Sequence, residues 1–432
     1  MCYPLASRPA LIALIVHLAA GCAAETESAA RWDGSIRDSA GIEIVENFGA
    51  PLWKPGEEWR LVEDLTIGMR DGPPEYQFGR IGGFEQLSDG RIVVADRMAS
   101  QLRFFSPAGE HLLSIGKQGQ GPKEFGEGML GILRGNGDTL LVTDYRNQQV
   151  HRIAPDGSWQ ASFSTRPDGG WWNSGWDVTP AGTIVSMFSP VQRPDQPPAD
   201  TLDVVVVRNL DGTLGDTLGV VPTSQSFRFA DGEPEQRFYA GRPDIDLRWD
   251  EQGLITGRSD TYKLTWLNLD GEPERIVHLY REPNPFTPEE QATLMARFDE
   301  MIDGSRLSPE RKQQVRRSIK FEDNYPYYRR FMNGPQGTLW LRRVLPIRDM
   351  TPEQVEALTN SISVRPAPGF DIFDAQGRYL GIVVVPEEMP LGLLHGDRMF
   401  GIVRDELDVE YLKIYRIEGM DGVDDEESRS GS

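Results

Sequence analysis

Several apolar runs of this chain end in a carboxylate, a guanidinium or both. Ile92-Val93-Val94-Ala95 runs into Asp96 and Arg97, and Leu140-Leu141-Val142-Thr143 runs into Asp144 and Tyr145. Leu254-Ile255-Thr256-Gly257 ends at Arg258, Leu339-Trp340-Leu341 at Arg342 and Arg343, and Gly401-Ile402-Val403 at Arg404 and Asp405. Arginine presents a planar fork of donors that fits carboxylate or phosphate in two-point contact. Brought to one opening, these residues would form a pocket for a small anionic molecule or an acidic peptide segment. The same residue types allow a second arrangement, in which the arginines pair with Asp96, Asp144 and Asp405 and knit the fold together.

Other chemistries have less material. His111, His151, His278 and His395 fall in separate segments, with no pair at i, i+4 and no spacing suited to zinc. A Gly-x-Ser-x-Gly elbow is also missing from the sequence. Trp171, Trp172 and Trp176 are close enough together to form an aromatic shelf for a sugar ring or a peptide. Each taken singly also reads as core.

The elements that carry the charged residues repeat. Leu65-Thr66-Ile67-Gly68, Pro74 and Phe78 are answered by Leu113-Ser114-Ile115-Gly116, Pro122 and Phe125. Arg91 to Asp96 is answered by Thr139 to Asp144, and Phe104 to Gly109 by Arg152 to Gly157. A period of about 40–50 residues, built from short β-rich runs and Gly turns, marks a propeller blade of four strands, A to D. Turn signals such as Ser88-Asp89-Gly90, Pro107-Ala108-Gly109 and Asp270-Gly271 give six blades between Gly82 and Ile417. The sixth lacks a D strand, whereas Leu61 to Gly68 is a D strand without a blade. The expected fold is therefore all-β: a six-bladed β-propeller spanning residues 36–419, closed by its N-terminal strand. Ile42 to Val45 is expected to add a further outer strand.

Interruptions of the repeat fall at the B–C and D–A connections, which antiparallel order places on one face. They are Pro190 to Thr201, Thr223 to Pro243, and helical insertions at about 287–320 and 351–362. Thr287-Pro288-Glu289-Glu290, Ser308-Pro309-Glu310 and Thr351-Pro352-Glu353-Gln354 are helix-start signals. Long connections on a rigid scaffold are where binding sits. The B-strand ends, and with them the charged residues above, open on that same face.

Gly119-Gln120-Gly121-Pro122-Lys123-Glu124-Phe125, the Ile-Val-Val-Ala-Asp run and Ser106-Pro107-Ala108-Gly109 resemble NHL-type six-bladed propellers. More narrowly, they resemble exported bacterial lipoproteins of that fold. The resemblance implies the fold and leaves the activity open, since relatives include scaffolds, ligand binders, lactonases and lyases. A binding scaffold is the expected function, with no cofactor. The alternative is a propeller enzyme of calcium-dependent lactonase or lyase type, acting on a small anionic substrate at the channel mouth. For calcium, Asp96, Asp144, Asn147 and Asp405 would supply oxygens, but the neighbouring arginines oppose a cation there.

Residues 1–21 read as a secretory signal, with Arg8 preceding a short apolar stretch from Leu11 to Ala20. Leu18-Ala19-Ala20-Gly21-Cys22 resembles a bacterial lipobox, which implies lipidation of Cys22. Residues 22–35 then form a tether. The only other cysteine is Cys2, so no disulfide is expected within the exported chain. The expected location is the bacterial cell envelope, in the periplasm or at the outer membrane, as a monomer that meets membrane only through its lipid. A formal charge of −21 argues against nucleic acid as partner. Residues 420–432 form an acidic tail, expected to be disordered.

Overall fold

Ile92–Asp96 and Leu140–Asp144 are buried along their whole length, as strands packed on both faces must be. Each is strand B of a four-stranded antiparallel blade. In the computed structural model the described residues are 32–127, 130–164, 171–178, 184–190, 202–209, 211–222, 227–230, 233–238, 243–247, 253–268, 270–357, 368–386 and 392–420. The signal, Cys22, most of the tether, 191–201, 358–362 and the tail beyond 420 lie outside them.

Blade 1 comprises Ile81–Gln86, Ile92–Asp96, Gln101–Phe105 and His111–Ile115. Blade 2 comprises Leu130–Arg134, Leu140–Asp144, Gln149–Ile153 and Trp159–Ser164. Blade 3 comprises Trp171–Val178, Ile184–Pro190, Leu202–Arg208 and Leu214–Pro222. Trp171, Trp172 and Trp176 belong to strand A of blade 3. Blade 4 comprises Pro243–Leu247, Gly253–Arg258, Lys263–Asn268 and Pro273–Leu279. Blade 5 comprises Tyr328–Asn333, Leu339–Arg343, Gly369–Phe373 and Tyr379–Val384. The A strands of successive blades touch one another in turn, so they surround the central axis.

Blade 6 comprises Gly392–His395, Arg398–Arg404 and Glu410–Glu418, completed as expected by the N-terminal Arg60–Ile67 as strand D. The repeat shows the equivalence atom by atom. Gly109 and Gly157 are turn residues with φ of 83° and 85°. A Cβ on Gly109 would meet Leu65 and Ile67, and one on Gly157 would meet Leu113 and Ile115. The closing strand therefore packs against blade 1 as strand D of blade 1 packs against blade 2.

The hairpin Gly34–Ser39/Ile42–Asn47 adds outer strands as expected; they join blade 4, where Ile42–Asn47 runs parallel to Pro273–Leu279. The chain then crosses blade 5, where Leu52 and Trp53 N–H groups donate to Tyr379 and Leu380 carbonyls. The N-terminal segment is a strap over three blades. The parallel pairing comes from side chains distant in sequence.

Candidate functional site

Described parts of three interruptions, the blade 3-to-4 link, the blade 4-to-5 link and the blade 5 B–C connection, assemble into a cap on the B–C/D–A face. Helix α1 (Pro288–Gly304) starts at Thr287, whose hydroxyl accepts the Glu290 N–H while the Glu290 carboxylate accepts the Thr287 N–H. Helix α2 (Pro309–Ser318) is capped by Ser308, and α3 (Pro352–Ala357) is preceded by Thr351, which exchanges bonds with Gln354. Phe286, Leu294, Phe298, Ile302 and Tyr325 share one apolar cluster with Ile347. The first five come from the blade 4-to-5 link and Ile347 from the blade 5 B–C connection. The blade 3-to-4 link joins as well, because Glu233–Phe238 pairs in parallel with Ile319–Phe321.

Glu290 is the polar centre of this cap and is 5 % exposed. Its carboxylate accepts from Tyr325 Oη at 3.0 Å, Arg348 N at 3.1 Å and Arg348 Nη1 at 3.0 Å. Burial opposes its ionisation, but the N–H groups of Thr287 and Arg348, the Tyr325 hydroxyl and the Arg348 charge outweigh it. The carboxyl is held below its usual range. Sequence reading identified Glu290 as a capping residue but missed its second role, which depends on Tyr325 and Arg348 far along the chain.

In blades 1 and 2 the repeat aspartates are latches. Asp96 is fully buried and accepts the N–H groups of Gly79, Met98 and Ala99 at 3.1 Å each, and pairs with Arg103 at 3.0 Å. Asp144 repeats the arrangement with Gly126 N at 2.7 Å, Asn147 N at 2.9 Å and His151 Nε2 at 3.5 Å. Burial resists ionisation of Asp144, and bonds from His151, Asn147 and Gly126 overcome it, so its carboxyl also lies low. Arg103 and His151 occupy the same place in the repeat, each against an equivalent ring, Phe78 or Phe125. Each aspartate thus ties the chain entering its blade to its own B–C turn.

The candidate arginines are brought to the same face, each with its own setting. Arg258 is bidentate to Asp260 at 3.1 and 2.6 Å, and the carboxylate raises its pKa. Arg404 binds Glu410 at 3.0 and 2.8 Å. Glu410, 2 % exposed, also takes Arg80 at 3.1 Å and the Ile81 N–H at 2.5 Å, which locks blade 6 to blade 1. Arg343 lies 3.7 Å from Asp371, whose oxygens accept Tyr262 Oη, Tyr379 Oη and Arg281. So Arg258, Arg343 and Arg404 meet acids other than Asp96, Asp144 and Asp405. Asp405 accepts the N–H groups of Val409 and Leu407 and the Tyr411 hydroxyl, which lower its pKa. Tyr145 is 51 % exposed at its turn, and Arg97 is half-buried.

The guanidinium of Arg342 is pushed down to about 10 by loss of water and by the charge of Arg330. Arg329 and Arg330 were missed in the sequence. The signal was present, as Tyr328-Arg329-Arg330 faces Leu341-Arg342-Arg343 across the Gly334–Gly337 turn.

Both oxygens of Asp96, Asp144 and Asp405 face donors, and no cluster of three or more metal-ligating residues occurs among the described residues.

No family model matches the chain, and no curated protein does. A member of the DUF4221 family from Bacteroides vulgatus ATCC 8482 is similar in structure at 11 % identity and TM-score 0.48, with 84 % of this chain and 98 % of that one covered. A gluconolactonase from Xanthomonas campestris is similar at 14 % identity and TM-score 0.40, covering 82 % and 98 %. Virginiamycin B lyase from Staphylococcus aureus is similar at 9 % identity and TM-score 0.41, covering 83 % and 99 %. The chain's own strand order and pairing make it a six-bladed β-propeller.

Proposed function

We propose that this chain is an exported, lipid-anchored propeller that serves as a binding scaffold, with the capped face as its working surface. The observation that carries this reading is the shared core of the cap. Insertions that drift independently have no reason to bury Ile347 among Phe286, Leu294, Phe298 and Tyr325. Here connections from separate points in the chain build one body, on one end of a rigid disc. That is how fixed binding loops are presented. The opposite face carries short turns such as Ser106–Gly109 and Ala154–Gly157. The occupant would be a protein, a peptide or a small anionic ligand. Cys22 would hold the protein at the envelope membrane, which the body meets only through the lipid.

Photo-crosslinking tests the reading. A crosslinker replacing exposed Arg306 on the cap should give discrete adducts in the native envelope, and one replacing exposed Ala108 on the other face should not. Adducts from Ala108 alone would reject the proposal. A Cys22→Ala variant should lose incorporation of labelled fatty acid, and retained label would reject the anchor.

A further inference from the structure

The two ends of the disc carry opposite charge at one place each. The chain as a whole is strongly acidic, yet residues 306–320 hold Arg306, Arg311, Lys312, Arg316, Arg317 and Lys320 against Glu310 alone. No other fifteen consecutive residues hold as many cations. They make up the turn after α1, helix α2 and the start of Ile319–Phe321, all within the cap. Val315 and Ile319 turn into the cap's apolar cluster, and Arg316 binds Asp299 and Asp303 of α1 at 2.6 Å each. Other cations face outward: Arg306, Arg311, Arg317 and Lys320 are exposed. Arg311 bonds to the neutral amide of Gln314. Among the described residues, no carboxylate pairs with Arg306, Arg317 or Lys320. The neighbouring strand sets Arg237, another cation, in register with Lys320. A solvated positive face on an acidic body attracts carboxylates.

The other end supplies the complement. Strand C of blade 6, Glu410–Glu418, runs towards the A–B/C–D face, where the Ile417 N–H donates to the Asp397 carbonyl at 2.8 Å. Met420 is held on that face as well, its carbonyl accepting Gln336 Nε2 of the blade 5 A–B turn at 3.2 Å. The next seven residues, Asp421-Gly422-Val423-Asp424-Asp425-Glu426-Glu427, contain five carboxylates and no cation, and no other seven hold as many acids. Fully extended, they span at most about 25 Å. The strands of a blade take up about 20 Å of that between the two ends. These carboxylates therefore cannot lie along the α2 of their own chain.

We infer that Asp421 to Glu427 of one copy binds the outward face of α2 on the next, through Arg306, Arg311, Arg317 and Lys320, so that copies of this chain stack head to tail. The inference deepens the reading of the capped face as a binding surface, and rests on it, by naming a second copy as occupant. A formal charge of −21 disfavours nucleic acid on the same helix. An anionic lipid surface is disfavoured because Val315 and Ile319 are spent inside the cap, whereas a helix that lies on lipid turns its apolar face outward. Exposed ion pairs are weak singly, but here several act along one helix. The contact uses different patches on its two partners, so it propagates instead of closing at a dimer.

Sedimentation of the full chain in detergent, across a range of concentrations at low ionic strength, tests it. Mass should climb past the dimer as concentration rises, and fall back towards the monomer in salt. The double variant Arg311→Glu/Arg317→Glu should weaken association about tenfold or more, and so should the quadruple variant Asp424→Lys/Asp425→Lys/Glu426→Lys/Glu427→Lys. Arg70→Glu, an exposed change of the same sign on the same face but on the blade 6-to-1 link, should leave it unchanged. Mixing the double and quadruple variants should restore association, because each then meets a partner of opposite charge at both contacts. Restoration also shows that both variants are folded. A parent that stays monomeric, an association that stops at the dimer, or a mixture no more associated than its parts would overturn the inference. If the parent is monomeric while the Arg306 crosslinker still joins other proteins, the second copy is rejected and the capped face remains a binding surface, so the two readings fail separately.

Discussion

Asn47, on the outer strand added to blade 4, accepts the Tyr379 N–H of blade 5 at 2.7 Å. Its amide nitrogen donates to the carbonyls of His278 and Gly377, both at 3.0 Å, and its oxygen also accepts Trp32 Nε1 at 2.9 Å. Asn47 is fully buried, and its four bonds use the whole capacity of the amide. Through it the strap fastens two blades that share no strand.

Asn47→Ala would leave buried donors and acceptors of both blades unmet. The expected loss is about 2–4 kcal/mol, read from urea unfolding. Hydrogen exchange at the Tyr379 amide should speed up more than exchange at the inner strands. A loss within error of zero would show that the strap only decorates a ring that is stable without it.

Glu290 does for the cap what Asn47 does for the strap. Glu290→Ala removes the capping box and the shared acceptor of Tyr325 and Arg348 together. The cap should loosen by about 2–4 kcal/mol, because Arg348 is partly solvated and its pairing is screened. Limited proteolysis between α1 and α2 should accelerate while the propeller still melts as one unit. If the cap resists protease as before, its core alone sets the cap's shape.

The two copies of the repeat offer a matched pair of variants. In Asp96→Asn the buried Arg103 keeps its charge and loses its counterion, a change that costs about 3–5 kcal/mol. In Asp144→Asn the partner is His151, which can be neutral, so about 1–3 kcal/mol is expected. The ordering is the test: equal or reversed losses in chemical denaturation would mean that the latch is not electrostatic.

These latches also show what a sequence displays and what it withholds. Asp96 and Asp144 were visible as equivalents because they recur in register, and the capping boxes because they are local. The closing strand was visible because Leu65 and Ile67 copy Leu113 and Ile115. Arg404's partner Glu410 was hidden, since only strand pairing sets Arg404 opposite it. The outer hairpin's place on blade 4 was hidden for the same reason, because a parallel pair leaves no turn signal between its strands. The sequence shows Arg329 and Arg330, but only strand register shows that both oppose Arg342.

His395 gives a pH test. It lies at the A–B turn of blade 6, where burial and the neighbouring Arg134 charge push its pKa down to about 4, with Asp138 opposing. Unfolded, the same group titrates near 6.5. Between these values the unfolded chain binds the extra proton, so His395 contributes stability that is complete above pH ~6.5 and is lost as pH falls through about 4. The upper bound is about 3 kcal/mol, reduced by screening because the ring is only half-buried. Carboxylates also titrate in this range, so the difference between parent and His395→Asn isolates the histidine. Unfolding free energies from pH 7 to 4 should fall more steeply for the parent. Parallel curves would mean that His395 is protonated as readily in the fold as in the open chain.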